Sequence, residues 1–455
     1  MANAKIKIVV EGAHIIPGNL VFIGEHLIRQ HKIPTRSPLT LRFGAANQTI
    51  KASSVFRTDD FRISETMAAR LGLHHGAQLS LKYKPASRTI VIGPLIGVMV
   101  SQIYPHIPDR PFGSITSFCK ELVDACRLYG GFVYFFTAHD ITQNKEQLEG
   151  WYYDDGWRKT TFPTPDVIYN RLTTRKLENK PSVQHFLKEV KSRFGTAVFN
   201  EKYLDKTDVF DALLRDPNQL RYLPESHLCN NYRIFKTMLG KYPVVFLKPV
   251  TGSLGKGIVR ISRNGARSFS CQLAGLNGLL HQQFNSLAGL FSALSGKLNK
   301  RRYQIQQGLD LIEVSGRPVD FRALVQRDGQ GAWTVTSVVA RIAGYNHFVS
   351  NLARGGTLCR VKDALAKSNL QPALRRTVYA NMRKAALDIA NGIASQIKGH
   401  FGELGVDLAV DTNGKVWLIE VNSKPSKHDG TPLAEGAVRP SAKLTVQYAR
   451  YLAGF

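Results

Sequence analysis

Between residues 407 and 422 the chain reads DLAVDTNGKVWLIEVN, and three of its oxygen-bearing side chains, Asp407, Glu420 and Asn422, are spaced so that a single fold-back collects them. Two β-like runs flank Asn413-Gly414, a pair favoured in a two-residue type I′ turn, which predicts an antiparallel hairpin. With Thr412 opposite Lys415, the register steps outward through Asp411 with Val416 and Val410 with Trp417 to Asp407 with Glu420. Alternation then puts Val406, Leu408, Val410, Trp417, Ile419 and Val421 on an apolar face, and Asp407, Ala409, Leu418, Glu420 and Asn422 on the other. Two carboxylates facing each other at ~4 Å repel by about 4 kcal/mol at an effective dielectric of about 20. A divalent cation between them turns repulsion into coordination, and Asn422 adds a neutral oxygen. Hard oxygen ligands suit Mg2+ or Mn2+, with phosphates and water completing the shell.

Residues suited to phosphate stand earlier, in VVFLKPVTGSLGKGIVRI from Val244. An apolar strand ends at Lys248, and the loop after it carries Gly252, Ser253, Gly255, Lys256 and Gly257. Glycine lets backbone amides approach phosphate oxygens, and lysine supplies fixed positive charge. The spacing is neither GxxxxGK[ST] nor GxGxxG, which disfavours a P-loop or a dinucleotide site. Further on, VDFRALVQ places Asp320 and Arg322 on one face of a strand, and ARIAGYNHFVSNLARGG gathers Arg341, Asn351 and Arg354 around a glycine-terminated segment. The thirteen histidines are scattered, and no Ser/His/Asp or Cys/His constellation is visible.

These motifs need a scaffold of several sheets. Residues 1–88 form a small β-rich module whose strand-helix-strand pattern resembles double-psi barrels, with the helix SETMAARLGL starting at Ser64. From 89 to 180 the texture is β-α-β: TIVIGPLIGVMV reads as a continuous buried strand of a parallel sheet, followed by the amphipathic helix SITSFCKELVDACRLYG, the strand GFVYFFTA and a strand at about 166–170. Residues 181–240 read mainly as helices, and strands with glycine loops return from 243. The long helix from Pro372 carries Leu374, Val378, Met382, Ala385, Ile389, Ile393 and Ile397 at helical spacing, a core stripe. No internal repeat is legible.

Composition bounds the class. The 455 residues, 43% hydrophobic and 21% charged, describe a folded chain of about three domains. Lys+Arg 61 against Asp+Glu 34 gives a net charge of +27, which asks for anionic partners without choosing among them. The local cluster KLNKRR at 297–302 is by itself an ordinary solvated basic face. A nucleic-acid binder is disfavoured, since no helix-turn-helix, zinc finger or RNP-like motif is present. Five cysteines without CxxC or metal spacing point to reduced structural thiols in a cytoplasmic setting, and no run reaches the ~18 apolar residues of a membrane span.

Taken in order, the strand-borne lysine, glycine-rich flap, hinge strand, acidic-x-Arg strand, NLARGG segment and Asp…Glu-x-Asn hairpin resemble the ATP-grasp superfamily of carboxylate-amine ligases. The wording FLKPVTGSLGKGI, RPVDFRALVQ and LIEVNSKPS is similar to the spore-coat-associated YheC/YheD-type proteins, over roughly residues 90–455. The resemblance implies an α/β and α+β multidomain ATP-grasp fold: a pre-ATP-grasp domain at 89–180 and a catalytic domain at 181–455 whose two α+β subdomains clamp ATP. It implies Lys248 on the inner phosphates, with Lys256 and the flap residues Gly252, Ser253, Gly255 and Gly257 over the outer ones. Gln306, Gln307 and Leu309 would form the adenine hinge, and Asp310 would meet the ribose, although many relatives carry a glutamate at the hinge. Asp407, Glu420 and Asn422 would hold two Mg2+ or Mn2+ ions. Arg322 and Arg341 would face the transferred phosphoryl group or the substrate carboxylate, with Asn351 and Arg354 closing the site. The implied reaction joins a small-molecule or peptide carboxylate to an amine, with acidic spore-coat components as further partners. The alternative is a nucleotide-binding structural coat protein without turnover.

Overall fold

The computed structural model describes all residues except 1–3, 13, 57–58, 143, 251–256, 266, 276–277, 346–354 and 428–436. Four sheets succeed one another along the chain. In the first, β1 (Ala4–Glu11), β2 (Leu20–Gly24), β3 (Leu39–Phe43), β4 (Ala46–Val55), β5 (Asp60–Ser64), β6 (Gln78–Lys84) and β7 (Thr89–Gly93) close a barrel in the order β1-β5-β2-β4-β3-β7-β6. Helix α1 (Glu25–His31) follows β2, and α2 (Glu65–Leu71), capped by the Ser64 hydroxyl, follows β5. Both helices run seven residues and end in a left-handed cap, at Lys32 and Gly72. β2 pairs parallel with β4 as β5 pairs parallel with β1, and β2 meets β5 antiparallel with Phe22 opposite Arg62. The barrel is therefore built from two like halves. The likeness lies in strand pairing and in the helix that follows each of β2 and β5, not in residue identity, which is why the sequence shows no repeat.

The second sheet comprises β8 (Leu95–Met99), β9 (Phe132–Phe136), β10 (Gln147–Tyr153), β11 (Trp157–Pro163), β12 (Val167–Asn170) and β13 (Ala197–Phe199), ordered β11-β10-β9-β8-β12-β13. β9, β8, β12 and β13 run parallel, flanked by α3 (Thr116–Tyr129), α4 (Arg175–Glu178) and α5 (Pro181–Phe194). The run TIVIGPLIGVMV is thus two strands rather than one: β7 closes the barrel, the chain turns at Gly93-Pro94, and β8 enters the parallel sheet. Every residue of the two strands after Thr89 is buried, so apolar continuity conceals the break.

After α6 (Lys206–Leu214) comes an antiparallel sheet of β14 (Ser226–Leu228), β15 (Val244–Pro249), β16 (Val259–Arg263), β17 (Phe269–Gly275), β18 (Gly278–Phe284) and β19 (Tyr303–Gln307), ordered β14-β19-β15-β16-β17-β18. Helices α7 (Tyr232–Lys241) and α8 (Leu287–Lys300) cover one of its faces, packing Phe235, Met238, Leu290 and Leu294 on Val245, Leu247, Val259, Ile261 and Ile305. The last sheet, β23-β22-β21-β24-β25, consists of β21 (Arg317–Arg327), β22 (Trp333–Ile342), β23 (Thr357–Cys359), β24 (Glu403–Val410) and β25 (Val416–Asn422), with β20 (Glu313–Val314) pairing off β21. Alternation along β21 sends Val319, Phe321, Ala323 and Val325 into the core, where α9 (Val361–Lys367) and the long α10 (Arg375–Gln396) lie. The stripe of α10 is as expected, with Val378, Met382, Ala385, Ile389 and Ile393 buried; burying each large side chain contributes roughly 1.5–3 kcal/mol. Finally α11 (Pro440–Leu452) returns to α3, and Arg450 binds Ser80 Oγ at 2.7 Å and the Gly130 carbonyl at 2.6 Å, tying the C-terminus to barrel and parallel sheet together. Cys119, Cys126, Cys229, Cys271 and Cys359 are all free. Among the described residues, no helix is long and apolar enough to cross a membrane.

Candidate functional site

Asp407 lies opposite Glu420 across β24 and β25, and Asn422 opposite Gly405. The route to that register differs from the expected one. The loop has three residues, Thr412 to Gly414, closed by Asp411 N–H donating to the Lys415 carbonyl at 3.0 Å, so Val410 faces Val416 and Ala409 faces Trp417. A bulge between Leu408 and Asp407 then inserts Ile419 and restores Asp407 to Glu420. The physical reason for the longer loop is the Asp411 carboxylate, which accepts from Asn413 N at 3.0 Å, Lys415 N at 2.9 Å and Trp417 Nε1 at 2.9 Å. A side chain that organises the loop in this way overrides the two-residue preference of Asn-Gly. As a correction to the expected faces, Leu418 pairs with Leu408 and is fully buried in the core, while Trp417 stands on the side of Ala409.

Around this pair the structure places cations. Arg322, opposite Asp407 on β21, grips it with both guanidinium edges, Nε on Oδ1 and Nη2 on Oδ2 at 2.9 Å. Arg341, on β22, adds an Nη2 contact to Asp407 Oδ2 at 3.2 Å and bonds Asp320 through Nε at 2.5 Å. Gly405 leaves room for this: a Cβ there would stand 3.0 Å from Pro425 Cβ and 3.4 Å from the Arg322 side chain. Burial alone would raise the Asp407 pKa, but the two arginines more than offset it and hold the carboxyl below the ordinary range. Arg341 is likewise kept firmly protonated by Asp407 and Asp320 against its burial. Glu420 meets Lys206 Nζ at 3.4 Å.

Lys248 comes from the facing sheet. Its ammonium bonds the Gln306 amide oxygen, while Gln306 Nε2 donates to Ser226 Oγ at 2.9 Å. Burial first and the nearby Lys206 charge second lower its pKa to about 8, with Glu420 partly opposing them. Lys248 and Glu420, from different sheets, are thus close enough for their charges to act on each other. The Gln307 amide oxygen accepts from Glu225 N at 2.7 Å. Leu309 is half-buried just beyond it. Asp310 receives Thr412 Oγ1 at 2.8 Å on its carboxylate and Thr412 N at 3.0 Å on its carbonyl, which fastens the exit of the hinge to the hairpin tip. Gly257, at φ +76°, follows the flap. Gly252, Ser253, Gly255, Lys256, Asn351 and Arg354 lie outside the described residues.

Residues 195–452 match the family model described as YheC/D like ATP-grasp, more than half of the chain. The chain belongs to the YheC/D-like ATP-grasp family. It is 31% identical over 366 residues to the endospore coat-associated protein YheD of Bacillus subtilis (strain 168), covering 80% of this chain and 79% of that protein. To the endospore coat-associated protein YheC of the same strain it is 23% identical over 304 residues, covering 64% of this chain and 80% of YheC. Among solved structures, D-alanyl-alanine synthetase A from Vibrio cholerae aligns with 80% of this chain and 99% of its own at a TM-score of 0.45 and 11% identity. The fold of this YheC/D-like chain is accordingly the ATP-grasp fold, α/β and α+β, with an added N-terminal barrel.

Two groups in this ATP-grasp chain escape motif reading. Lys206, first residue of α6, reaches Glu420 from more than two hundred positions away, and nothing around KTDVFDALL marks it. A buried network also joins the lobe of β24 to the parallel sheet. Glu403 takes Tyr169 Oη, Arg171 Nη1 at 3.1 Å and Lys427, while Lys424 pairs with Glu178. Burial lowers the Lys424 pKa to about 8 despite that partner. Only the wording SKPSK after Asn422, two lysines beside a site, offered a signal.

Proposed function

We propose that the chain is an ATP- and Mg2+-dependent carboxylate-amine ligase of the acyl-phosphate type, acting on a small-molecule or peptide carboxylate. The observation that carries this reading is the cleft itself: Asp407 and Glu420 paired across one sheet, ringed by Arg322, Arg341 and Lys206, with Lys248 opposite. The donor set fits Mg2+ or Mn2+, since two carboxylates and the Asn422 amide share one edge and hard oxygen is what those ions prefer. When bound, two such ions supply charge neutralisation between nucleotide phosphates and the protein.

The residues of the chain do the rest by alignment. Lys248 meets the inner phosphates, and Lys256 with Gly252, Ser253, Gly255 and Gly257 closes over the outer ones. Gln306, Gln307, Leu309 and Asp310 border the nucleoside. Arg322 and Arg341, now shared with Asp407, turn part of their donor capacity to the transferring phosphoryl group or the substrate carboxylate, and Asn351 and Arg354 complete the closure. The γ-phosphoryl group passes from ATP to the carboxylate oxygen; the amine then attacks the acyl carbon, phosphate leaves with the bonding pair, and the ammonium proton is lost to solvent. No protein nucleophile is required, because positioning and electrostatic stabilisation dominate such transfers. The expected boundaries at 88 and 180 shift with the sheets: the barrel, through β7, serves as accessory module, the parallel sheet from β8 to β13 as pre-ATP-grasp domain, and the two later sheets as catalytic domain. The relatives' names add an association with the endospore coat.

The test is an ADP-release screen pairing carboxylates with amines in Mg2+, read by mass spectrometry for a condensed product. ADP and phosphate should appear with the productive pair and disappear in Asp407→Ala and Glu420→Ala. Normal ATP turnover by either variant overturns the reading. Tight nucleotide binding without product across the screen favours the structural coat protein instead.

A further inference from the structure

The lobe that carries Lys248 has an unusual charge pattern. From Ser226 to Leu309 the sequence contains twelve Lys and Arg residues and not one Asp or Glu, although the whole chain has 34 acids. The proposed function assigns Lys248 and Lys256 to nucleotide, but not the remaining ten. α7 and α8 pack on the sheet face opposite Lys248, and their outward sides present Arg233, Lys236, Lys297 and Lys300, all exposed. Arg263 and Arg267, at and beyond the end of β16, are exposed as well. Among the described residues these six cations form no ion pair, and the lobe's exposed Lys241 reaches one only by leaning on Glu225, just outside the acid-free stretch.

A solvated helical face normally mixes signs, and like charges gathered on one lobe repel. Neither α7 nor α8 has an acid in its first turn, where one would be favoured by the helix dipole; Arg233 stands there instead, at the unfavourable end. Such an arrangement costs stability in the free protein and is offset when an anion covers it. We infer that the outer face of this lobe, over α7 and α8, docks an acidic polypeptide. The choice of carboxylates over nucleic acid follows from what is missing. A single strand needs exposed aromatic platforms on which bases stack. Among the described residues, the exposed Tyr or Phe of this face is Tyr232, 38% exposed, and it stands edge-on against Phe291 at 5.3 Å. The Arg233 guanidinium and the ammonium groups of Lys236, Lys297 and Lys300 are exposed charges that carboxylates spread along a flexible chain can each reach.

This docking needs no turnover at the cleft and stands or falls separately from the ligase reading. The full-length protein is titrated with fluorescein-labelled poly-L-glutamate of about thirty residues, and with an oligo-dT of matched charge, by anisotropy at low, physiological and high salt. Poly-L-glutamate should bind, weaken as salt rises, and lose at least about tenfold in affinity in the quadruple variant Arg233→Gln, Lys236→Gln, Lys297→Gln, Lys300→Gln. An equally discharged control, Lys5→Gln, Lys362→Gln, Lys367→Gln, Arg376→Gln, should bind nearly as the parent does. MgADP affinity and the melting temperature of both variants should stay within error of the parent, which separates surface loss from misfolding. The inference is overturned if poly-L-glutamate does not bind, if the two quadruple variants lose affinity equally, or if oligo-dT binds more tightly than poly-L-glutamate and is lost in the first variant.

Discussion

Lys248 is the side chain whose titration is most accessible to measurement. Its pKa is lowered to about 8, chiefly by burial and then by Lys206, so near neutral pH it is mostly an ammonium held at some cost. Phosphate beside it favours the charged form, so nucleotide binding draws a proton onto Lys248 at alkaline pH. MgADP affinity should therefore fall as pH rises above about 8, by up to about tenfold per unit, and the fall should vanish in Lys248→Met, as calorimetric titrations from pH 7 to 9.5 would show. Stability moves the other way. The unfolded lysine binds its proton up to about pH 10.4, so between about 8 and 10.4 the unfolded state holds more protons and this residue's contribution to stability rises with pH. The melting temperature of the parent relative to that of Lys248→Met should therefore rise between about pH 8 and 10, and a relative fall over that range would contradict the sign. Asp407 and Glu420 separate in a similar manner. Removing the Asp407 charge takes the counter-charge from Arg322 and leaves Arg341 with Asp320, and breaking a buried pair of this kind costs about 3–5 kcal/mol. Glu420 has one 3.4 Å contact and is half-exposed. Glu420→Gln should abolish ADP release with a midpoint in urea close to the parent, whereas Asp407→Asn should lose both.

The hairpin of β24 and β25 shows how an element can be read correctly in outcome and wrongly in construction. Alternation and the Asn-Gly pair place the two acids opposite each other, and they are. The three-residue loop and the Ile419 bulge each displace the register by one, and the displacements cancel. Neither was legible, because the loop is set by the Asp411 carboxylate and the bulge by the need to keep Leu418 in the core, both consequences of tertiary packing. The strand-borne Lys248, the helix stripe of α10 and the Ser64 cap were legible, since each rests on local spacing or a local hydrogen bond. The tip of this hairpin is a test of the corrected geometry. Gly414 has φ +83°, and a Cβ there would stand 3.2 Å from Val378 and 3.3 Å from Leu374 of the helix layer. Gly414→Ala should destabilise by about 1–2 kcal/mol through the left-handed backbone alone, more if the helix cannot yield. A type I′ turn on Asn413-Gly414 pointing into solvent would give the backbone penalty without any change in protection of α10, so hydrogen exchange of that helix distinguishes the two.

At the scale of the whole molecule, function depends on which bodies are fastened and which are free to close. The lobe of β24 is bolted to the parallel sheet: Glu403 holds Arg171 and Lys427, Lys424 holds Glu178, and α11 reaches back to Ser80 and Gly130. The lobe bearing Lys248 meets the bolted part through the 308–312 hinge segment and the cleft. Beyond the lysines of SKPSK little of this could be read from the chain, since Arg171–Glu403 and Glu178–Lys424 join residues more than two hundred positions apart. Glu403 is the decisive bolt. Burial would raise its pKa, yet Lys427 and Arg171 hold it below the ordinary carboxylate range, so its contribution is present above about pH 4.3 and is lost on acidification below that. Glu403→Gln removes the buried carboxylate that Arg171 and Lys427 share and should lower stability by about 3–5 kcal/mol, while loosening hydrogen-exchange protection in β12 and β13. The triple replacement Glu403→Leu, Arg171→Met, Lys427→Met removes every charge at once and should recover most of that loss, because desolvation offsets much of what a buried pair contributes. If the triple variant is as unstable as the single one, the network stabilises the junction by its ion pairs rather than merely fixing how the two bodies meet, and the urea midpoints of the three proteins decide between these.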